Sequence, residues 1–448
     1  MKHNKALLYF AFLAVISTWI ACADTKSKAV TLPGVEILHA NQKKLTDLII
    51  YDVFSPPVAA RIYSYTSLAS YEAIRHLQSD QASLIAKLPG FKAMPEPEKG
   101  KEYNFLLSAT RAFLNVANNL TFSVDTLLQY EKGVLATFKA GLEPQVYERS
   151  IAFGEAIAKK IMERAAIDNY PQTRGKPRYI GSRLPGKWKP TAPDYSDAVE
   201  PCWGDMLPFY NDSVAAYPLP PAPAYSMKQS DPFYQQVMEV YTIGKNLTEE
   251  QKLIATYWDD NPFVTEHEGH LMFANKKITP GGHWMGIASI ACKKAGTDPV
   301  KTARVLALTA MSLMDGFILC WDAKYKYELV RPITVINEQL DKNWLPYLQT
   351  PPFPEYPSGH SVITAAAATV LTIELGENFA FHDDSDKEYI GLERDFRSFQ
   401  EAAAEASISR VYGGIHFRPA VEEGTKLGRW LGGELNKKIN EYKQPVYR

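Results

Sequence analysis

From Pro56 onward the apolar residues of this chain recur at helical spacing, and sustained period-two alternation is scarce. That pattern builds helices packed through one face and leaves little material for a sheet. The segment Pro56–Arg75 starts at a proline pair and carries its apolar residues at helical period. Further amphipathic runs cover about 103–118, 122–140 and 145–167, and helices resume at about 249–258, 299–322, 361–375, 386–409 and 421–441. The predicted fold class is all-α. With 448 residues, the chain is expected to form more than one bundle or layer, because single cores stop growing well before this size.

Three charge-bearing blocks interrupt the apolar runs in the last third of the chain. The first holds Lys324 with Arg331-Pro332, the second is Pro357-Ser358-Gly359-His360, and the third holds Ser409-Arg410 with His416. Lys324 and Arg331 are seven residues apart, so on one helix they share a face two turns apart. Ser358 is a good N-cap for the run that ends at Leu375 and is stopped by Gly376, which places its hydroxyl, the Gly359 amide and His360 at a helix N-terminus, where an anion is favoured. Arg410 falls near the end of a strongly helical stretch, and Gly413-Gly414 turns the chain so that His416 faces the same pocket. Three cations, a hydroxyl, an amide and two imidazoles make an inventory suited to a tetrahedral oxyanion. Each piece alone has an ordinary reading as turn, packed residue or surface punctuation. Together, in order, they do not.

The blocks read KYKYELVRP, PSGH and SRVYGGIH, and they resemble the signature of the vanadium-dependent haloperoxidase and type 2 phosphatidic acid phosphatase superfamily, K-x6-R-P, P-S-G-H and S-R-x5-H. The resemblance implies paired four-helix bundles, with an N-terminal bundle and long loop over 35–225 and the site in a C-terminal bundle over 226–448. It implies that Lys324, Arg331, Ser358, Gly359 and Arg410 hold oxyanion oxygens, that His416 ligates vanadium or attacks phosphorus, and that His360 handles the proton opposite. One pocket serves both chemistries, because a phosphoryl transition state and bound vanadate share a trigonal bipyramidal form.

Residues outside the blocks lean toward the haloperoxidases. Pro351 to His360 resembles the PPFPxYPSGH run of fungal-type vanadium chloroperoxidases, and Trp321 resembles an aromatic of their halide pocket. Phe353 and Trp321 would give an apolar wall that strips water from a halide. The segments 256–262 and Thr279-Pro-Gly-Gly-His-Trp284 resemble parts of bacterial haloperoxidase-like proteins, an alignment in which Asp260, or less favourably Asp259, orients Arg331 or Arg410. One departure counts against a phosphatase: the acid usual four residues after the last histidine is Ala420 here, with Glu423 one turn beyond. Without that partner His416 is expected to be less activated.

Three functions therefore stay open. A haloperoxidase would use vanadate, hydrogen peroxide and a halide. An exported acid phosphatase would use a phosphohistidine at His416 on a phosphoester, with no cofactor. A vestigial oxyanion-binding envelope protein would turn over neither. A net charge of −1 with 22% charged residues gives no bias toward nucleic acid or acidic membranes. Residues 1–22 read as an export signal, with Lys2 and Lys5 before an apolar run, so the protein is expected in a bacterial periplasm or anchored to the outer membrane. The only membrane attachment expected is a lipid on Cys22, with Ala21-x-Ala23 the competing ordinary cleavage site. Cys202, Cys292 and Cys320 suggest no disulfide framework. The span Thr302–Trp321 is apolar enough to cross a membrane, but Arg304 and Asp315 mark it as a buried bundle helix. The Pro-, Trp- and Tyr-rich stretch from about Asn169 to Tyr225 is expected to cover the pocket mouth. His267 and His270 are three apart, not the four of a zinc helix, and are expected to flank the entrance.

Overall fold

A computed structural model describes residues 31–440 apart from 87, 211–216, 263, 269–270 and 275–276, and describes 265–268 and 271–274 by backbone alone. The export segment with Cys22, and the side chains of His267 and His270, lie outside the described residues. Helix takes 61% of the structure and strand 2%, so the all-α expectation holds.

In chain order the first half gives α1 (Glu36–Tyr51), α2 (Pro56–Ile74), α3 (Phe105–Leu120), α4 (Val124–Gly141), α5 (Pro144–Ala165) and the single turn α6 (Tyr170–Arg174). After the long loop come α7 (Pro232–Lys245), α8 (Glu249–Tyr257), the hairpin β1 (Thr265–Glu268) and β2 (Leu271–Ala274), α9 (Pro280–Ala295), α10 (Pro299–Tyr327), α11 (Pro332–Gln339) and α12 (Gly359–Leu375). The chain then forms β3 (Phe381–Asp383), α13 (Lys387–Ile390), β4 (Arg394–Phe396), α14 (Phe399–Tyr412) and α15 (Arg418–Asn440). Many starts are chemically marked. Proline occupies the first turn of α2, α5, α7, α9, α10 and α11, where its missing N–H costs nothing, and Asp298, Thr279, Ser358 and Ser398 cap their helices by accepting backbone N–H groups.

Two helices form the frame. Every residue of α2 is buried, and α2 packs on α3, α5 and α10. Helix α10 packs on α2 and also on α12, which carries α14 and α15. Of the most apolar 18-residue window in α10, 94% is buried, and its two charged residues find partners inside the fold. Asp315 accepts the backbone N–H groups of Phe209 (2.8 Å) and Tyr210 (2.7 Å), while Arg304 pairs with Glu374 of α12. The helix is therefore a core helix, as its interior charges suggested. Helices α12 and α15 meet at backbone distance: a Cβ on Gly428 would stand 2.1 Å from the Val362 carbonyl oxygen. Only glycine permits that approach.

One reading is corrected here. The stretch 386–409 is not one helix, because Gly391, at φ 74°, ends α13, and Arg394–Phe396 then pairs with Phe381–Asp383 before Ser398 starts α14. This hairpin packs Phe396 against Phe381, which a continuous helix would not do. The long loop has a second task besides its place near the cavity, where its Thr191, Asp194 and Ser196 share a small pocket with Asn261 and Pro351 of the cavity lining. It backs the site: Trp188 N–H donates to the Glu328 carbonyl (2.7 Å), Val330 N–H to the Gly186 carbonyl (3.0 Å), and Val199 O accepts from Trp321 Nε1 (3.1 Å) and the Tyr325 hydroxyl (2.8 Å).

Candidate active site

The three blocks converge at the ends of α10, α12 and α14. Lys324 lies in the last turn of α10, but Arg331 is not on the same helix. Glu328 takes a left-handed conformation (φ 53°) that ends α10, and Arg331 stands in extended backbone just before α11. The shared face expected from seven-residue spacing is thus replaced by a turn that folds the arginine back. Both cations are fully buried and are held by carbonyl oxygens of the 351–357 segment and Ile415. Lys324 Nζ donates to Pro354 (2.8 Å), Glu355 (3.0 Å) and Pro357 (2.6 Å), and Arg331 donates from Nε to Phe353 (2.8 Å) and from Nη1 to Ile415 (2.7 Å). Both charges lie over the Phe353 ring, 5.1 and 5.0 Å from its centroid.

His416 gains a partner that the sequence reading did not assign. Its Nδ1 lies 2.8 Å from Glu355 Oε1, which also accepts the Phe417 N–H at 2.9 Å. Its Nε2 lies 3.1 Å from Arg331 Nη1. Arginine only donates, so Nε2 is the acceptor and the ring carries its hydrogen on Nδ1. The expectation that Ala420 leaves His416 without an acid is therefore overturned. The carboxylate comes from the Pro351–His360 run, two residues before the second block, not from α15, and Ala420 instead accepts the Ser358 N–H through its carbonyl (3.0 Å).

Burial, then the neighbouring cations Arg331, Lys324 and Arg410, hold the His416 imidazole well below its usual range. Burial lowers Lys324 to about 7, helped by Arg331, and raises Glu355 to about 7 against the pull of Arg331 and Lys324. Arg331 falls to about 10, mainly through burial. Lys324 and Arg331 share the one carboxylate of Glu355, while Arg410 on the far side feels Asp259 and Asp260, so the cations around His416 form an environment that an anion would relieve.

A cavity opens onto this cluster, lined by Trp321, Phe353, Gly359, His360, Arg410 and His416, with Phe317 and Ile415 extending its apolar side. Trp321 and Phe353 pack with ring centroids 4.9 Å apart, so the predicted aromatic wall is present. Lys324, Arg331 and Ser358 are fully buried and do not line the open space. Ser358 caps α12 through Ser361, and a Cβ on Gly359 would come within 3.3 Å of Trp321. Among the described residues of 169–225 none lines the cavity itself.

Comparison with known proteins agrees with this geometry. A family model for the VCPO second helical-bundle domain matches residues 304–445. No curated protein matches the chain. Among solved structures, that of a bacterial vanadium-dependent iodoperoxidase is 42% identical, with a TM-score of 0.86 over 90% of this chain and 96% of that one. The chain belongs to the vanadium haloperoxidase and type 2 phosphatidic acid phosphatase superfamily. Two structures of bacterial vanadium-dependent chloroperoxidase, holo and apo, share the fold at 17% and 16% identity, with TM-scores of 0.69 and 0.67. They cover 92% and 86% of this chain, and 98% and 94% of their own chains.

As a superfamily enzyme the chain keeps all three blocks in place, while its Asp260 departs from the expected role. Asp260 does not hold Arg331 or Arg410. Its Oδ1 lies 3.0 Å from Nδ1 of His283, in the Thr279–Trp284 segment, and its Oδ2 lies 3.8 Å from His360 Nε2. Asp259 is bound instead to Lys277 (2.5 Å), and Arg410 donates to the Trp258 carbonyl and to Ser409 Oγ (2.9 Å). Burial, followed by Arg410 and His283, holds His360 well below its usual range. Two functional residues went unassigned in the sequence. Glu355 was visible as the lone acid in PPFPEYPSGH, and His283 as the histidine of a segment quoted only for its resemblance.

Proposed function

We propose that this enzyme is a vanadium-dependent haloperoxidase that oxidises a halide with hydrogen peroxide. The observation that carries the reading is His416. Its Nδ1–H is held by Glu355 and its Nε2 electron pair is turned toward the buried cations, which is the arrangement of an imidazole kept as a ligand. The residues fit vanadate: Arg410 at the cavity, with Lys324 and Arg331 just behind it, would balance its charge, the Gly359 amide, with the Ser358 hydroxyl behind it at the start of α12, would hydrogen-bond its oxygens, and His416 Nε2 would ligate the metal. Bound vanadate supplies Lewis-acid activation of peroxide without changing its own oxidation state.

The chain's own groups supply the rest. Neutral His360 is placed to take a proton from entering peroxide and return one. Formation of hypohalous acid and water from halide and hydrogen peroxide consumes one proton, so a group that cycles its proton belongs beside the reacting atoms. The Trp321–Phe353 wall lowers the local dielectric where the halide would approach. Iodide is the first halide to try, since a 42% identical neighbour is an iodoperoxidase.

A second reading keeps one specific support. Glu355 also supplies what a phosphohistidine mechanism needs, a carboxylate on the far nitrogen of the nucleophile. It removes the one feature that favoured a vestigial site. A paired assay on purified mature protein, apo and vanadate-loaded, separates these readings. Iodide or bromide oxidation that appears only with vanadate supports the haloperoxidase. Hydrolysis of para-nitrophenyl phosphate by the apo protein, suppressed by vanadate, would replace it with the phosphatase.

A further inference from the structure

Behind His360 stands a buried cluster that reaches the cavity through Asp260 and that the proposed reaction does not use. His283 is fully buried at the start of α9, and each of its ring nitrogens meets a carboxylate: Asp260 Oδ1 lies 3.0 Å from Nδ1 and Asp383 Oδ2 lies 3.0 Å from Nε2. Trp258 covers one face of the ring, stacked at 4.6 Å with an interplanar angle of 21°, and Tyr257 meets it edge-on at 5.4 Å. Asp383 is itself fixed by the Ser385 hydroxyl (2.6 Å) and N–H (3.1 Å) on its other oxygen. The remaining groups facing the cluster are Asp386, raised to about 7 by burial and by Asp260 and Asp383, and the Lys277–Asp259 pair.

Ionised carboxylates only accept, so a ring with one on each nitrogen must donate from both and carry a positive charge. The stacked tryptophan suits a cation. On the other side, Asp260 Oδ2 and His360 Nε2 are buried, and neither has a hydrogen-bond partner among the described residues. They face each other at 3.8 Å. One oxygen of Asp260 is thus committed and the other is aimed at the proton-handling imidazole.

We infer that His283 is a positioning residue for the active site: an imidazolium clamped between Asp260 and Asp383 that fixes Asp260 with its free oxygen turned toward His360. The inference rests on the haloperoxidase reading only for what His360 does, because the clamp is a property of the protein alone. It gives the Gly-His-Trp segment at 282–284 a role. It also explains how Asp260, 3% exposed and near Arg410 but not hydrogen-bonded to it, is held in place. With His283 neutral or absent, Asp260 would be a buried carboxylate free to rotate toward Arg410, and His360 would lose its facing acceptor. The competing reading is a metal site, since ligand atoms of Asp260, His283 and Asp386 lie within 4.8 Å of one another. A metal would need a ring nitrogen that the carboxylates already engage.

The test begins on the vanadium-free protein. Side-chain nitrogen NMR of histidine-labelled wild type from pH 6 to 9 is expected to show one ring with both nitrogens protonated throughout, lost in His283→Asn. A ring in that position with one bare nitrogen, or a stoichiometric divalent metal in the purified protein by elemental analysis, overturns the clamp. On the vanadate-loaded enzyme, His283→Asn is expected to lower kcat about tenfold while KM for halide and vanadate affinity stay within about twofold. Unchanged kcat overturns the positioning role. Asp383→Asn keeps the ring in place and weakens the clamp from the far side, so it gives a smaller kcat loss of the same kind even if His283→Asn fails to fold, and an unchanged kcat there also counts against the inference. If wild type shows no vanadate-dependent oxidation, the proposed function fails, while the NMR signature still decides the clamp.

Discussion

Two histidines face one cavity, each beside a buried carboxylate, and they are built in opposite ways. His416 has both nitrogens committed, Nδ1 to Glu355 at 2.8 Å and Nε2 to Arg331 at 3.1 Å. His360 faces Asp260 across 3.8 Å, too far for a hydrogen bond, while Asp260 gives its other oxygen to His283. Burial is the leading cause that holds both imidazoles below the usual histidine range, so the direction of shift does not separate them. Geometry does. A ring fixed at both nitrogens is a stable electron-pair donor, whereas a ring with an acceptor held just out of reach can gain and lose a proton without breaking a bond first.

Substitution should expose that asymmetry most plainly at the rings. His416→Ala is expected to abolish vanadate binding and halide oxidation together, by roughly a thousandfold or more, whereas His360→Ala should remove most oxidation and keep vanadate bound. Equilibrium dialysis beside iodide oxidation reads both, and equal loss of binding in the two variants would erase the distinction. The carboxylates come next. Glu355→Ala frees the His416 tautomer and orphans the Phe417 N–H, so vanadate affinity should drop about 10- to 100-fold. Asp260→Asn should leave affinity within about threefold and lower kcat instead. A drop in affinity for Asp260→Asn as large as that for Glu355→Ala would mean that both acids serve the same function.

Phe353 belongs to the His416 half, since it carries both Lys324 and Arg331 on its face as well as walling the cavity. Phe353→Ala should cost about 3 kcal/mol of stability, as for other large-to-small core changes, and raise KM for halide several-fold. Thermal unfolding and halide titration check the two effects separately. Halogenation that is indifferent to the change would remove the aromatic wall from the mechanism.

The same contrast explains what could be read from the sequence. The His416 half was largely legible, because Lys324, Arg331, Ser358, Gly359, Arg410 and His416 come in ordered blocks with fixed spacings, and the helices that carry them show clear apolar period. What escaped was long-range. Glu355 reaches His416 across 61 residues, and Asp383 reaches His283 across 100, so no local pattern pairs them. Even within one block, spacing misled: the left-handed Glu328, a non-glycine, ends α10 where the pattern allowed the helix to run on. The small hairpin of Phe381–Asp383 with Arg394–Phe396 was hidden for a related reason, its segments being too short to show a period.

The smallest expected effect tests the charge balance that distinguishes the His416 half. Burial, reinforced by Arg331, leaves Lys324 titrating at about 7, and burial lifts Glu355 to about 7. A tetrahedral anion in the pocket favours the protonated form of both, so each is higher in the complex than in the free protein. Binding therefore takes up protons near neutrality. Affinity is greatest below the free-protein values and falls as pH rises through them, by up to about tenfold per unit for each group. Sulfate is the suitable probe, because it has no proton of its own to lose in this range. Calorimetry in two buffers of different ionisation enthalpy, at fixed ionic strength, should report uptake at pH 7.5 in wild type and in Asp260→Asn, and a smaller uptake in Lys324→Gln. Proton release on binding, or an uptake that Asp260→Asn removes, would place the titrating charge on the His360 side and reverse the assignment of the two halves.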